Sequence, residues 1–176
     1  MLKKLLYALP LGLLSFGPTA APRIAILDFE LKDLTLAPGI PAEIKRTASI
    51  KPLLEGELRS AGYDIVEIPL SAQQAANSGV GYLFDRADAT AKLGKDFGAD
   101  YVLAGRLHKP SFLFAYLMGN LVRVGDSRRT AQFITESKGP NAELVVKAVE
   151  SLADKIDNVL ENRYTPPPPG KSKPIP

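Results

Sequence analysis

Two carboxylates and one arginine are the residues best suited to bind a ligand. Asp28 and Glu30 lie at the end of an apolar segment, and Arg106 lies within a later one. Ligands of α/β proteins usually bind at the carboxyl ends of the sheet strands. Asp28, Glu30 and Arg106 are therefore the predicted polar contacts of a small-ligand site. The alternative is that Asp28 caps or bonds a neighbouring loop.

The chain has one histidine, His108, and no cysteine. A zinc site needs three or four nitrogen, sulfur or oxygen ligands, and His108 has no companion at ligand spacing. His108 could act as the general base of a hydrolase, which His108→Ala would inactivate. A surface histidine at a strand end is the interpretation we favour. The sequence also lacks a Gly-x-Ser-x-Gly motif and a glycine-rich phosphate loop. We therefore predict no enzyme activity, no metal and no cofactor.

A third group of residues predicts a protein contact. The segment that contains Phe112, Phe114, Tyr116 and Met118 is more apolar than a half-exposed strand requires. At a sheet edge this segment would expose a surface for a partner or a second copy. Buried on both faces it would simply be core, and the sequence leaves both possibilities open.

The elements that carry these residues follow the order β-α-β-α-β-β-β-α. Strands are predicted from apolar and alternating runs at 23–30, 63–68, 99–109, 111–125 and 130–138. Helices are predicted at 42–61, 85–97 and 142–163, the first with an apolar stripe at Ile44, Ala48, Leu54, Leu58 and Ala61. The sequence thus predicts an α/β domain with a mixed sheet, parallel at first and ending in an antiparallel meander. Finer expectations are a kink or restart at Pro52, a bulge at Gly119–Asn120 and one water-facing side on the second half of the third strand.

The first 20 residues have the pattern of a secretory signal peptide. Lys3 and Lys4 precede an apolar run, which ends in small residues before Ala21. That run is too short to span a bilayer. We expect cleavage after Ala20, and the missing cysteine excludes a lipid anchor. The predicted location is the periplasm, with no stable membrane span after cleavage.

The rest of the chain divides into a domain and a tail. The domain is expected at 23–163, and the proline-rich segment 165–176 should be extended and solvated. The chain has 22 basic and 19 acidic residues, and the loss of Lys3 and Lys4 leaves it nearly neutral. A near-neutral domain has little electrostatic attraction for nucleic acid, so no nucleic-acid partner is predicted.

Three segments carry a family resemblance: 24–31, 58–66 and 97–111. Together they resemble an exported bacterial family of unknown function, some members of which look like lipoproteins. The architecture is similar to the periplasmic domain of the curli-secretion protein CsgG and to the amino-terminal domain of TolB. The resemblance implies that fold over most of residues 23–162, and it implies no catalytic residues.

These observations favour a non-enzymatic periplasmic domain that binds an envelope protein or a second copy of itself. The alternative is a periplasmic small-ligand-binding protein with its site at the carboxyl ends of the strands.

Overall fold

A six-stranded mixed sheet forms the centre of the molecule in the computed structural model, which describes residues 21–138, 142–165 and 168. The strands are β1 (Arg23–Ile26), β2 (Glu30–Asp33), β3 (Asp64–Val66), β4 (Tyr101–Lys109), β5 (Phe114–Arg123) and β6 (Arg128–Lys138). The helices are α1 (Pro41–Ser60), α2 (Leu70–Ala76), α3 (Tyr82–Asp85), α4 (Ala87–Asp96) and α5 (Ala142–Leu160).

The strand order is β3-β1-β4-β5-β6, with β2 also paired to β4. Strands β1 and β3 are parallel, as are the pairs β1–β4 and β2–β4. The pairs β4–β5 and β5–β6 are antiparallel. The prediction of an α/β fold with a mixed sheet that ends in a meander is therefore confirmed.

The predicted first strand, 23–30, is two strands separated by a bulge. Ile26 pairs with Leu103, whereas Glu30 pairs with Arg106. The three residues 27–29 therefore lie opposite only two residues of β4, 104 and 105. The side-chain amide of Gln73 bonds the backbone of Asp28 in both directions, at 2.8 and 2.9 Å, and replaces the missing ladder bonds. The ring of Phe29 lies against Gly105, where a Cβ atom would approach a ring carbon to 2.2 Å.

Helices cover the sheet on both sides. Helices α1 and α5 enclose the larger core, which includes Leu54, Leu103, Leu117 and Leu152. On the other side, Leu83, Leu93 and further apolar residues cover Ala25, Val102 and Ala104. Gly94 lets α4 lie close to the sheet, because a Cβ atom there would come within 2.3 Å of Val102.

Helix α1 differs from its predicted pattern. Leu54 and Leu58 are buried as expected, but Ile44 and Ala48 are exposed, while the polar residues Glu43, Arg46 and Thr47 are buried. The helix also continues through Pro52. Proline has no N–H, so the Ala48 carbonyl has no amide partner within the helix. Pro52 and Ala48 both face solvent, where water can bond that carbonyl.

Other predicted details were also wrong. Most of the second half of β4 is buried rather than water-facing, because Phe84 of α3 covers Arg106 on one face and the larger core covers Leu107 on the other; His108 is only half-buried. The register shift of the meander lies at Leu121–Val122 and not at Gly119–Asn120. The helix expected at 85–97 begins earlier as α3 and restarts as α4.

Some predicted features lie outside the described residues. These are the signal peptide at 1–20 and most of the proline-rich tail. In the part of the chain that the structure describes, no helix has the length and apolar character needed to cross a membrane.

Candidate functional site

Glu30 and Arg106 lie side by side and bind each other. Arg106 Nη2 is 3.1 Å from Glu30 Oε2 and 3.7 Å from Asp85 Oδ2. The guanidinium also stacks over Phe84, 4.1 Å from the ring centroid. The Gly81 amide donates to Glu30 Oε1 at 2.9 Å. These bonds hold α3 against the sheet, so both charged groups already have partners within the fold.

Asp28 has different partners from Glu30. Its carboxylate is 3.0 Å from Lys51 Nζ on α1, and its backbone is bonded by Gln73. The bulge separates the two carboxylates, which therefore do not form a shared acid pair. The role of Asp28, Glu30 and Arg106 in ligand binding stays a prediction, and their observed bonds are structural.

His108 is half-buried near the end of β4. Its neighbours across the adjacent strands are Lys32 and Tyr116, and neither offers the carboxylate that would orient a catalytic imidazole. Burial, together with the charges of Lys32 and Arg106, lowers the pKa of His108 below its ordinary value. Among the described residues, no group of three or more histidine, aspartate or glutamate side chains could hold a metal ion.

The apolar segment around β5 is neither an edge nor a strand buried on both faces. Strand β5 lies between β4 and β6, and one face of it packs under α5. Its other face carries Phe114, Tyr116 and Met118, which alternate with the buried Ala115 and Leu117.

Coverage of that second face stops at α3. The Asn120 amide donates to the Phe84 carbonyl at 2.8 Å, and Phe84 stacks on Arg106. Beyond these residues no described helix covers the sheet. We call this surface the open half; its residues are His108, Phe114, Tyr116, Met118 and Ile134, with the charged Lys32 and Glu136 beside His108 and Tyr116.

Apolar side chains on the open half reach solvent. Phe114 is 44% exposed and Ile134, which pairs with Met118, is 51% exposed. Phe112 and Leu113, just before β5, are 62% and 72% exposed. Soluble monomers rarely expose large apolar patches, and such patches usually mark contact surfaces.

A buried charge cluster at the carboxyl end of β4 was not predicted. Lys109 Nζ is 2.7 Å from Glu43 Oε1, and Arg46 Nη1 is 3.3 Å from Glu43 Oε2. Arg46 Nη2 also donates to Ser137 Oγ at 2.7 Å. The sequence signal was weak, because an acid in the first turn of a helix with an arginine three residues later is common on exposed helices.

The elements, the covered core and the open half define a three-layer α/β domain with a mixed sheet. The chain belongs to the DUF3280 family, described as "Protein of unknown function (DUF2380)", which matches residues 22–156. No curated protein matches the sequence.

Several solved structures are similar to this chain at low sequence identity. A PelC dodecamer from Paraburkholderia phytofirmans is 15% identical, with 81% of this chain and 89% of that chain covered and a TM-score of 0.52. TolB from Acinetobacter baumannii is 16% identical, with 82% of this chain but 29% of TolB covered and a TM-score of 0.53. The LpoB C-terminal domain from Salmonella enterica is 15% identical, with 69% and 85% covered and a TM-score of 0.46. The predicted likeness to TolB is therefore confirmed for the fold, over less than a third of that protein.

Proposed function

We propose that this protein is a non-enzymatic module of the bacterial cell envelope that binds another protein, in the first place a second copy of itself. The observation that carries the proposal is the open half of the sheet. Its apolar side chains belong to paired strands within the sheet, so their positions are fixed before any partner arrives. A preformed apolar surface loses little conformational entropy on binding.

The face of the sheet suits this contact better than its edge. Strand β6 ends the strand order, and an unpaired edge can bind another strand. Lys155 on α5, however, donates to the Ile134 carbonyl at 2.6 Å. This lysine occupies one of the backbone acceptors of β6, and lysine at an edge is a common protection against strand addition. The contact proposed here therefore uses side chains of the open half.

The structural relatives support self-association as the first form to test. The PelC structure of similar fold is a dodecamer. At 15% identity the likeness concerns the fold alone, so it supports the possibility of assembly without assigning an interface. The envelope location rests on the signal-like segment at 1–20.

Light scattering after size-exclusion chromatography tests the proposal directly. We expect the chain, expressed in full and recovered from the periplasm, to form an oligomer or to co-purify with one envelope protein. Ile134→Lys should abolish either association, because it places a charge on the open half.

Ile44→Lys is the matched control, since Ile44 is 56% exposed on α1, away from the open half. Association should survive this change. A chain that is monomeric at all concentrations and is cross-linked to no envelope protein contradicts the proposal, as does equal loss of association in both variants.

The cleavage site has its own test. We expect the N-terminal sequence of periplasmic material to begin at Ala21. Recovery from the cytosol with Met1 still attached would contradict the envelope location.

A small-ligand-binding function at Asp28, Glu30 and Arg106 is the second candidate. The ion pairs of these residues use the charges that a ligand would need, so the geometry favours it less. A ligand bound there should raise the melting temperature, and replacing Glu30 by Gln should remove that rise.

A further inference from the structure

A pocket of about 190 Å³ opens between the start of α1 and the carboxyl end of β4. Glu43, Arg46 and Lys109 line its polar side, and Ile40, Phe112, Phe114 and Ala115 line its apolar side. We propose that this pocket binds a small organic carboxylate that carries one compact apolar or aromatic group. This proposal rests on different observations from those of the protein contact proposed above, although Phe114 belongs to both surfaces.

The charge balance of the pocket favours an anion. Of the described residues that line it, two are cationic and one is anionic, and all three are more than nine-tenths buried. The nearby Asp33 pairs with Lys109 along the strands; Thr35 and Gly39 bond its carboxylate, and the charge of Lys109 helps to lower its pKa. Glu43 is the one carboxylate among the described residues that bonds Lys109 and Arg46 directly. A carboxylate bound in the pocket would give these two cations a second direct acceptor.

Hydrogen-bond donors in the cluster also exceed its acceptors. Arg46 Nε is buried and has no partner in the structure. Of the three N–H donors of Lys109, the described residues supply an acceptor for one, Glu43 Oε1. Leaving a buried charged donor unbonded costs more than leaving a neutral one. A carboxylate oxygen in the pocket could bond Lys109 directly, and Arg46 Nε is a second donor of the same cluster that lacks an acceptor.

The apolar side sets the size and shape of the ligand. At ~30 Å³ per water, the pocket holds the volume of about six waters. Drug-sized ligands occupy pockets of about 300–1,000 Å³, so this pocket suits a single ring or a short branched chain. Phe112 lies 5.8 Å from Lys109 Nζ and is 62% exposed, so its ring forms a wall that is open to solvent and close to the cation.

The Glu30–Arg106 cluster shows what a purely structural arrangement looks like. There one arginine meets two carboxylates and a stacked ring, and Arg106 has no buried atom without a partner. Around Glu43 one buried donor is unbonded and a cavity adjoins the charges. The second arrangement has the features of a site completed by an anion.

Nuclear magnetic resonance titration of the full chain tests the proposal, with sodium benzoate as the probe and benzamide as its uncharged analogue. We expect benzoate to shift the amide signals of residues 40–46 and 109–115 in a saturable manner. Benzamide should bind at least tenfold more weakly, because it has the same shape without the charge.

Two variants should weaken benzoate binding, and a third should strengthen it. Lys109→Gln should weaken benzoate binding at least tenfold, and Phe112→Ala should weaken it without altering the buried charges. Glu43→Gln should strengthen benzoate binding, since it removes the carboxylate that competes for both cations. Arg86→Gln is the control, because Arg86 bonds Asp88 on the surface and does not line the pocket.

The outcomes separate clearly. If Lys109→Gln fails to fold, the opposite effects of Phe112→Ala and Glu43→Gln still decide the matter. Equal binding of benzoate and benzamide, or no saturable shift with benzoate, overturns the proposal. Displacement of benzoate by inorganic phosphate at equal concentration overturns the assignment to carboxylates. Ile134→Lys should still bind benzoate, because Ile134 does not line the pocket. Loss of the protein contact and loss of the ligand site can therefore be told apart.

Discussion

The two faces of the β5–β6 hairpin differ in what covers them. On one face Leu117, Leu121 and Phe133 are buried under α5, a helix of 19 residues. On the other, the four-residue helix α3 reaches only to Arg106 and Asn120, and the strands continue uncovered beyond it. Neighbouring residues of one strand therefore have different roles. Leu117 holds the fold together, whereas Met118 is available for a contact.

The largest expected effect separates those two neighbours. Leu117→Ala should lower the free energy of unfolding by about 2–5 kcal/mol, because it leaves a cavity in a closed core. Met118→Ala should cost about 1 kcal/mol or less, since its side chain is only half-buried. Urea denaturation measures both. Equal losses would mean that the open half is as well packed as the covered face.

A glycine on the covered side gives the next effect. Gly105→Ala should destabilise the protein by about 1–3 kcal/mol, because the added Cβ would meet the Phe29 ring. Phe29→Leu in the same chain should recover part of that loss, and a double-mutant cycle measures the coupling. Additive effects of the two substitutions would contradict this contact.

A smaller effect depends on pH and involves the open half. Burial and the charges of Lys32 and Arg106 lower the pKa of His108 in the folded state. As pH falls, His108 is therefore protonated at a higher pH in the unfolded chain than in the folded one. Stability should therefore fall as pH drops below about 6.5, and level off once the folded state is also protonated. His108→Gln should remove this part of the pH dependence. A histidine titration that gives a raised pKa in the folded protein would reverse the sign.

The smallest effect on stability is expected at the most exposed position of the open half. Ile134→Thr should change the free energy of unfolding by about 0.5 kcal/mol or less, because Ile134 is 51% exposed. It should nevertheless weaken association, which sedimentation velocity measures. A large loss of stability would show that Ile134 is part of the core.

The sequence was informative where a signal is local. The predicted strands at 111–125 and 130–138 located the hairpin, and the predicted helix at 142–163 located α5. Which faces are covered depends on residues distant in the chain. The same apolar run of β5 fits a buried strand or a contact surface until the short length of α3 is known.

The candidate site was less predictable for the same reason. Glu30 was chosen from its position at the end of a predicted strand and Arg106 from its position within another, and the structure places them together, but as partners of each other. Glu43 and Arg46 read as ordinary helix-surface charges. Their burial comes from β4 and β6, which follow them by more than 55 residues in the sequence.

The bulge between β1 and β2 changes which residues along the chain face the larger core. Side chains alternate between the faces of a strand, so one additional residue exchanges the faces for everything after it. Ile24 and Ile26 point into the larger core, and after the bulge Phe29 and Leu31 do so. The bulge absorbs the additional residue, so removing a single residue from 27–28 would give an unbulged strand in which Phe29 and Leu31 still face that core. The protein would lose only part of the segment that Gln73 bonds, so this stretch can vary in length without turning a charge toward α1 and α5.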